Sequence, residues 1–198
     1  MPSLSQIIIA IESITEWIGR TVSWLVLALV LLSFIVAVPR YVLSSETFLQ
    51  WQLFSLDWEY VRQIYGQYVN ALSDSIQYVH AAIFMLGVSY ALKHRDHVRI
   101  DILYRNFSPK TQAWVNILGC FLLLYPTFAF LIYMSWDYVL NAWSIGESSA
   151  RTGGLGYLFV LKSLLVIMPM LMILQGTALL LQQVQVLRSK TLQQSNVN

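Results

Sequence analysis

The sequence has little charge and almost no cysteine. Charged residues make up 11% of the 198 positions, whereas soluble domains usually carry about a quarter. Twelve Lys and Arg against ten Asp and Glu leave a net charge of +2, which excludes the basic field that nucleic-acid binding requires. Cys120 is the only cysteine, so an internal disulfide and a thiolate metal cage are excluded. Because 57% of the residues are hydrophobic, this composition indicates a membrane protein.

Ionisable groups inside apolar runs are also scarce. His80 is the only ionisable residue well inside such a run, whereas pumps and ion-coupled carriers bury several along their pathways. A single intramembrane histidine is too few for bis-histidine haem ligation, and we interpret it as a hydrogen-bonded interface residue. The sequence also lacks a catalytic triad, a phosphate-binding glycine loop and a pair of metal ligands on one helix. We therefore predict no enzymatic activity, no cofactor and no metal.

Long apolar segments are what the sequence has in abundance. A helix needs about 20 largely apolar residues to cross a hydrocarbon core about 30 Å thick. Four segments between charged residues meet this requirement, and we predict spans at about 21–43, 73–93, 111–140 and 158–187. Pro126 and Pro169 fall inside the last two and predict kinks. The predicted fold is all-α, a single polytopic membrane domain over 1–198.

A further helix is predicted ahead of the first span. Ile7, Ile11, Ile14 and Ile18 recur at helical spacing, as in an amphipathic helix at the membrane surface. No basic residue precedes Arg20, so the positive region of a cleaved signal peptide is missing. We therefore interpret the first apolar segment as a span that is retained.

The basic residues predict the orientation. Lys and Arg are retained on the cytoplasmic side of short loops. Five lie between the second and third apolar segments, at 93–110, and three more flank the outer ends of the first and last spans. On the opposite side there are three, with Lys162 at the end of the last span. Both termini are therefore predicted to be cytoplasmic in a bacterial inner membrane.

An aromatic segment at about 48–69 separates the first two spans. Five aromatic residues and one valine recur every three or four residues, on one helical stripe: Trp51, Phe54, Trp58, Val61, Tyr65 and Tyr68. Tyr and Trp favour the membrane interface, so the stripe predicts an interfacial helix on the external side. Two interpretations stay open, a lipid anchor and a docking surface for another protein.

A glycine-rich external loop is predicted at about 141–156. Gly153 and Gly154 lie in it with Glu147 and Arg151, and glycines permit the backbone angles of a tight turn. Asp137 and Lys162 bracket this loop, where they could pair with Arg151 and Glu147, respectively.

The predicted cytoplasmic loop interleaves acids with bases. The segment 93–104 reads Lys-His-Arg-Asp-His-Val-Arg-Ile-Asp-Ile-Leu-Tyr, and a loop that only sets topology requires bases alone. Its core, from His97 through Arg99 to Asp101 with Asp96 just before it, resembles the small membrane subunit of tripartite ATP-independent periplasmic (TRAP) transporters, the DctQ-like family. Gly153-Gly154-Leu155, followed by Lys162, is similar to a second pattern of that family. The arrangement is most similar to the mannitol or chloroaromatic branch.

The resemblance implies a scaffold within a transporter. Its partners would be a large membrane subunit and a periplasmic solute-binding protein, and the complex would import an organic acid by ion-coupled symport. Two other hypotheses remain: an anchor for a haem or quinone oxidoreductase, and a membrane scaffold unrelated to transport. The candidate contact residues are Trp51, Trp58, Asp96, His97, Arg99, Asp101, Glu147, Arg151, Gly153, Gly154 and Lys162.

Overall fold

The computed structural model describes residues 4–44, 58–94 and 107–195, and the regular secondary structure in these ranges is helical. In chain order the elements are α1 (Leu4–Ser44), α2 (Trp58–His94), α3 (Pro109–Gly119), a π-helical turn (Cys120–Leu124), α4 (Tyr125–Ser144) and α5 (Leu158–Ser195). Four helical stretches are long and apolar enough to cross a membrane: Leu4–Leu43, Glu59–His94, Pro109–Ser144 and Leu158–Arg188. The predicted all-α fold with four spans is confirmed.

The helices are longer than the apolar segments that define the spans. α1 has 41 residues, which at 1.5 Å per residue is about twice the thickness of a hydrocarbon core. The amphipathic segment and the first span are one continuous helix, and so are the second span and the described part of the aromatic segment, 58–69. The helix-breaking residues near these two junctions are Gly19 and Gly66. One glycine lowers the stability of a helix by about 1 kcal/mol relative to alanine, which is too little to break a packed helix.

α1 and α2 form an antiparallel hairpin. Near one end of the hairpin the ring of Tyr90 lies directly against Gly19. Towards the other end the Tyr65 hydroxyl donates to the Val36 carbonyl (2.8 Å), and the Arg62 guanidinium donates to the Leu43 carbonyl (3.1 Å). Tyr65, a member of the aromatic stripe, therefore contacts α1. Neither the lipid-anchor nor the docking-surface interpretation of the stripe includes this contact.

α5 is the central element, because it packs against α1, α2, α3 and α4. Its proline, Pro169, is buried within the helix, so it lies among neighbouring helices as expected for a tolerated intramembrane proline. We define the end of the bundle that carries the α4–α5 loop as the loop end. The opposite end, where α1 begins and α5 ends, is the terminal end.

The third span is α3, the π-helical turn and α4 in direct succession. Ser108 caps its start by accepting from the Thr111 amide (3.2 Å), and Pro109 occupies the first turn, where a missing N–H costs nothing. The Tyr125 amide donates to the Cys120 carbonyl five residues back. This wider turn lies directly before Pro126, whose ring would crowd a regular α-helical ladder.

Candidate functional site

The α4–α5 loop is compact. The Ser149 amide donates to the Leu155 carbonyl (2.9 Å), and the Gly154 amide donates to the Arg151 carbonyl (2.9 Å). Gly153 has a φ of 72°, a left-handed conformation that L side chains adopt at a cost. The loop is therefore held in shape by hydrogen bonds between its own backbone groups.

One carboxylate from α2 fastens the loop. Asp74 is buried, with its side chain 4% exposed. Its oxygens face the Arg151 guanidinium at 3.5 Å and accept from the Leu155 amide at 3.1 Å. One turn earlier on α2, the Asn70 amide donates to the Thr152 carbonyl at 2.9 Å. The second span and the loop before the fourth span are thus joined by three polar contacts.

Gly154 allows this close approach. A Cβ atom placed there would lie 2.5 Å from Asp74 Oδ2 and 2.7 Å from Ser149 Oγ, which is well inside van der Waals contact. The Asp74 carboxylate is buried and held by two partners, so it has no room to withdraw. Gly154 is therefore required for space, whereas Gly153 is required for its backbone angle.

A second ion pair joins α5 to the end of α4. Lys162 donates to the Glu147 carboxylate, and the ammonium also lies 4.0 Å from the centroid of the Tyr138 ring. Both side chains are largely shielded, with 13% of Lys162 and 28% of Glu147 exposed. Because charge-assisted contacts strengthen when water is excluded, this pair fixes the start of α5 against α4.

These residues form one assembly at the loop end. We call it the loop cluster: Asp74, Glu147, Arg151, Gly154 and Lys162. Two of its members carry negative charge and two carry positive charge, so it is electrically balanced. Its chemistry is that of a structural clamp, since each charged group already faces an opposite charge.

The terminal end has a separate group of polar contacts, which we call the terminal cluster: Glu12, Glu16, Arg20, Lys93, His94 and Gln182. Lys93 donates to the Glu16 carboxylate (2.8 Å) and to the Glu12 carbonyl (3.2 Å). Arg20 and His94 also face Glu16, at 3.4 and 3.5 Å. From α5, the Gln182 amide donates to the Glu12 carboxylate. α1, α2 and α5 are thus joined at this end as well.

One hydrogen bond between helices is fully buried. The Thr15 hydroxyl donates to the Gln175 side-chain carbonyl at 2.8 Å, and both residues are at most 2% exposed. The Gln175 amide nitrogen has no hydrogen-bond partner among the described residues. Hydrogen bonds of this kind between membrane helices typically contribute about 0.6 kcal/mol, so this one aligns α1 with α5 more than it stabilises them.

The structure brings together the candidates of the glycine-rich loop. Glu147 and Lys162 pair as the sequence suggests, but the pairing of Arg151 with Asp137 is wrong. Arg151 faces Asp74, because the loop folds onto α2 and not back onto α4. Trp58 begins α2. The remaining candidates lie outside the described residues: Trp51, Asp96, His97, Arg99 and Asp101.

The i,i+4 spacing of Glu16 and Arg20 predicts their pair, but the sequence predicts neither the role of Asp74 nor the other contacts of the terminal cluster. Asp74 borders the second apolar segment, so the sequence indicates only that its charge ends an apolar run. The position of Glu12 and Glu16 opposite Lys93 requires knowledge of the helix pairing. A signal for both was present, because charges at the ends of antiparallel spans come to the same level in the membrane.

His80 lies on the surface of α2, and its ring meets the edge of Phe84 at a centroid distance of 4.8 Å. This contact is aromatic and differs from the hydrogen-bonded role expected from the sequence. Within 4–44, 58–94 and 107–195, no group of three or more His, Cys, Asp or Glu side chains is arranged to hold a metal ion. The polar groups that do cluster are the charges at the two ends of the bundle.

The fold and its two charge clusters define a multi-pass membrane protein whose polar contacts fasten helices to one another. Residues 59–186 match the family model of the tripartite ATP-independent periplasmic transporters, DctQ component. Because the match covers more than half of the chain, the protein belongs to the DctQ family and is a small membrane subunit of a TRAP transporter. The match is to the family as a whole, so membership of its mannitol or chloroaromatic branch stays a prediction. No curated protein and no solved structure shows significant similarity to the chain.

Proposed function

We propose that this subunit is a fixed scaffold for the large membrane subunit during ion-coupled uptake of an organic acid. In this proposal a periplasmic solute-binding protein delivers the acid, and the complex lies in the bacterial inner membrane. Both termini of the subunit are cytoplasmic, so the loop cluster faces the periplasm. Family membership supports the association with a transporter, and the polar contacts at the two ends of the bundle support the scaffold role.

The observation that carries the proposal is the attachment of the loop to α2 through Asp74. The loop joins α4 to α5 in sequence, and Asp74 ties it to a helix that lies far earlier in the chain. Lys162 and Glu147 then fasten α5 to the end of α4. Three spans are therefore fixed to one another at the loop end.

Ion pairs that are shielded from water are more compatible with a subunit that stays rigid than with one that moves during transport. Removing one partner of a shielded pair leaves the other charge without its counter-ion, which is unfavourable. An element that must move in every transport cycle would have to disrupt such contacts repeatedly. The terminal cluster closes the other end in the same way, through Lys93 and Glu16, so the bundle is held at both ends.

The proposal assigns contact residues to each side of the membrane. On the cytoplasmic side we assign Asp96, His97, Arg99 and Asp101 to contacts with the large subunit. On the periplasmic side we assign Trp51 and Trp58 to contacts with a partner or with lipid. The charges of the loop cluster are already paired, so they support these surfaces and do not themselves bind solute.

The first test removes the subunit. We expect the small and large subunits to copurify in mild detergent, and we expect deletion of this chain to abolish solute uptake in cells. The affinity of the isolated binding protein for its solute should stay unchanged, because that protein folds separately. Uptake at the normal rate without this chain would contradict the proposal.

A second test addresses the scaffold role in the intact complex. Asp74→Asn removes the charge that holds the loop, and Glu59→Gln removes an exposed acid on the same helix whose pair with Arg62 is long, at 3.9 Å. We expect Asp74→Asn to lower the maximal uptake rate while the half-saturating solute concentration stays the same. Glu59→Gln should change neither quantity. A shift in half-saturation with Asp74→Asn would indicate a role in solute binding and would contradict a purely supporting function.

A further inference from the structure

A cavity of about 330 Å³ opens beside α1 at the terminal end. Its lining includes two carboxylates and two cations, from Glu12, Glu16, Arg20 and Lys93, so its formal charge is zero. Trp17 stands at its edge and is 70% exposed. A cavity of this size is at the lower end of the range for small-molecule sites, and its mixed charge favours a ligand that carries both signs.

The charged groups keep hydrogen-bonding capacity for such a ligand. The Lys93 ammonium has three donors and gives two of them to Glu16 and to the Glu12 carbonyl. One oxygen of the Glu12 carboxylate accepts from Gln182, which leaves the other oxygen. Arg20 faces Glu16 through Nε, and its side chain is 79% exposed, so its terminal nitrogens extend outward.

An apolar lane on α1 begins at this cavity. Trp24, Leu27, Leu31 and Phe34 follow one another in steps of three or four residues and are each at least half exposed. This spacing puts them on one face of the helix. The lane runs from the charged end of α1 along the first span. The apolar part of a molecule bound in the cavity would therefore extend along this lane into the hydrocarbon core of the membrane.

We propose that the cavity binds the headgroup of a phospholipid with a primary amine, of the phosphatidylethanolamine class. The phosphate lies between Arg20 and Lys93, the ammonium donates to the Glu12 carboxylate, and the acyl chains follow the lane. A headgroup with only negative charge would be repelled by the carboxylates of Glu12 and Glu16. A quaternary choline has no N–H to donate to Glu12 and is therefore held less well.

The test is a lipid titration of the purified full chain. After delipidation in detergent, binding of phosphatidylethanolamine, phosphatidylcholine and phosphatidylglycerol with identical acyl chains is measured by native mass spectrometry. We expect phosphatidylethanolamine to bind about fivefold more tightly than the other two, as one charge-assisted hydrogen bond near water implies. Glu12→Gln should remove this preference, and Glu59→Gln, at the other end of the bundle, should leave it intact.

Two further arms separate the proposal from its alternatives. Arg20→Gln, a change at an exposed side chain, should lower the affinity for all three phospholipids by the same factor, because it removes a contact with the phosphate that they share. Glycerophosphoethanolamine, the soluble headgroup, should not displace the lipid at equal concentration. Equal affinities for the three lipids would overturn the proposal, and so would an unchanged preference in Glu12→Gln or displacement by the soluble headgroup.

Discussion

At the scale of single residues, Asp74 is the member of the loop cluster that joins α2 to the loop. Its carboxylate is almost fully buried, and it contacts both a charged side chain and a backbone amide. Burying a charge is costly unless its lone pairs are used, and here two partners from the loop use them. The loop and α2 therefore depend on each other: without the loop the carboxylate would be uncompensated, and without the carboxylate the loop would lose its anchor.

We expect Asp74→Ala to destabilise the protein by about 2 kcal/mol, because it leaves the Leu155 amide and the half-exposed Arg151 without their partner. The apparent melting temperature in detergent should fall by several degrees. Glu59→Ala removes an exposed carboxylate with a weak pair and should change stability by at most about 0.5 kcal/mol. Equal melting temperatures for the two variants would show that the buried contacts contribute nothing.

A second residue-scale prediction compares two neighbouring glycines. Gly154→Ala places a methyl group against Asp74 and Ser149, whereas a Cβ at Gly156 meets no atom within 4 Å. We expect Gly154→Ala to cost about 1–3 kcal/mol, as overpacking does, and Gly156→Ala to be neutral. Trypsin provides a local readout, since a loosened loop exposes the bond after Arg151. Faster cleavage in Gly156→Ala than in Gly154→Ala would contradict this account.

The sequence predicts one ion pair of the loop cluster and not the other, and this difference has a physical cause. Glu147 and Lys162 are close along the chain and flank one turn, so their pairing follows from local geometry. The partnership between Asp74 and Arg151 depends on which helices are adjacent in the membrane. An apolar pattern indicates that a helix crosses the bilayer but carries little information about its neighbours. It therefore favours Asp137, which is close along the chain, over Asp74.

At the scale of elements, the α1–α2 hairpin depends on small residues at its crossing. Gly19 lets the Tyr90 ring approach the α1 backbone, and Gly87 lies opposite Val22. Without a hydrophobic driving force between membrane helices, such close packing supplies much of the association energy. The same elements show how far periodicity reaches. It predicts helices ahead of the first span and at 48–69, but it does not show that a helix continues into the neighbouring span without a break.

We expect Gly19→Ala to weaken the hairpin, because its Cβ would lie 2.0 Å from Tyr90 Cδ2. Gly87→Ala is the matched control, since its Cβ would lie at an ordinary 3.7 Å from Val22. The expected cost for Gly19→Ala is about 1–3 kcal/mol, measured by thermal unfolding in detergent. In a Tyr90→Ala background that cost should largely disappear, because the two changes share one contact. A cost that persists in this background would place its origin elsewhere.

At the scale of the whole molecule, the two charge clusters lie at opposite ends of four spans. The loop cluster is electrically balanced and compact. The terminal end lies next to the most basic segment of the sequence, 93–110, where Lys and Arg outnumber Asp and Glu. This asymmetry predicts that the terminal end faces the cytoplasm, because basic loops stay on that side of the membrane. The proposed partners on each side follow from that orientation.

The orientation is tested with single cysteines in a Cys120→Ser background, where the buried native thiol no longer contributes. Gly156→Cys lies in open space at the loop end, and Ser5→Cys is exposed near the start of α1. In intact cells whose outer membrane is permeable, an impermeant maleimide should label Gly156→Cys. Ser5→Cys should react only after the inner membrane is opened, because retention of the basic loop puts both termini inside. The reverse labelling pattern would place the loop cluster in the cytosol, where no periplasmic protein could reach it.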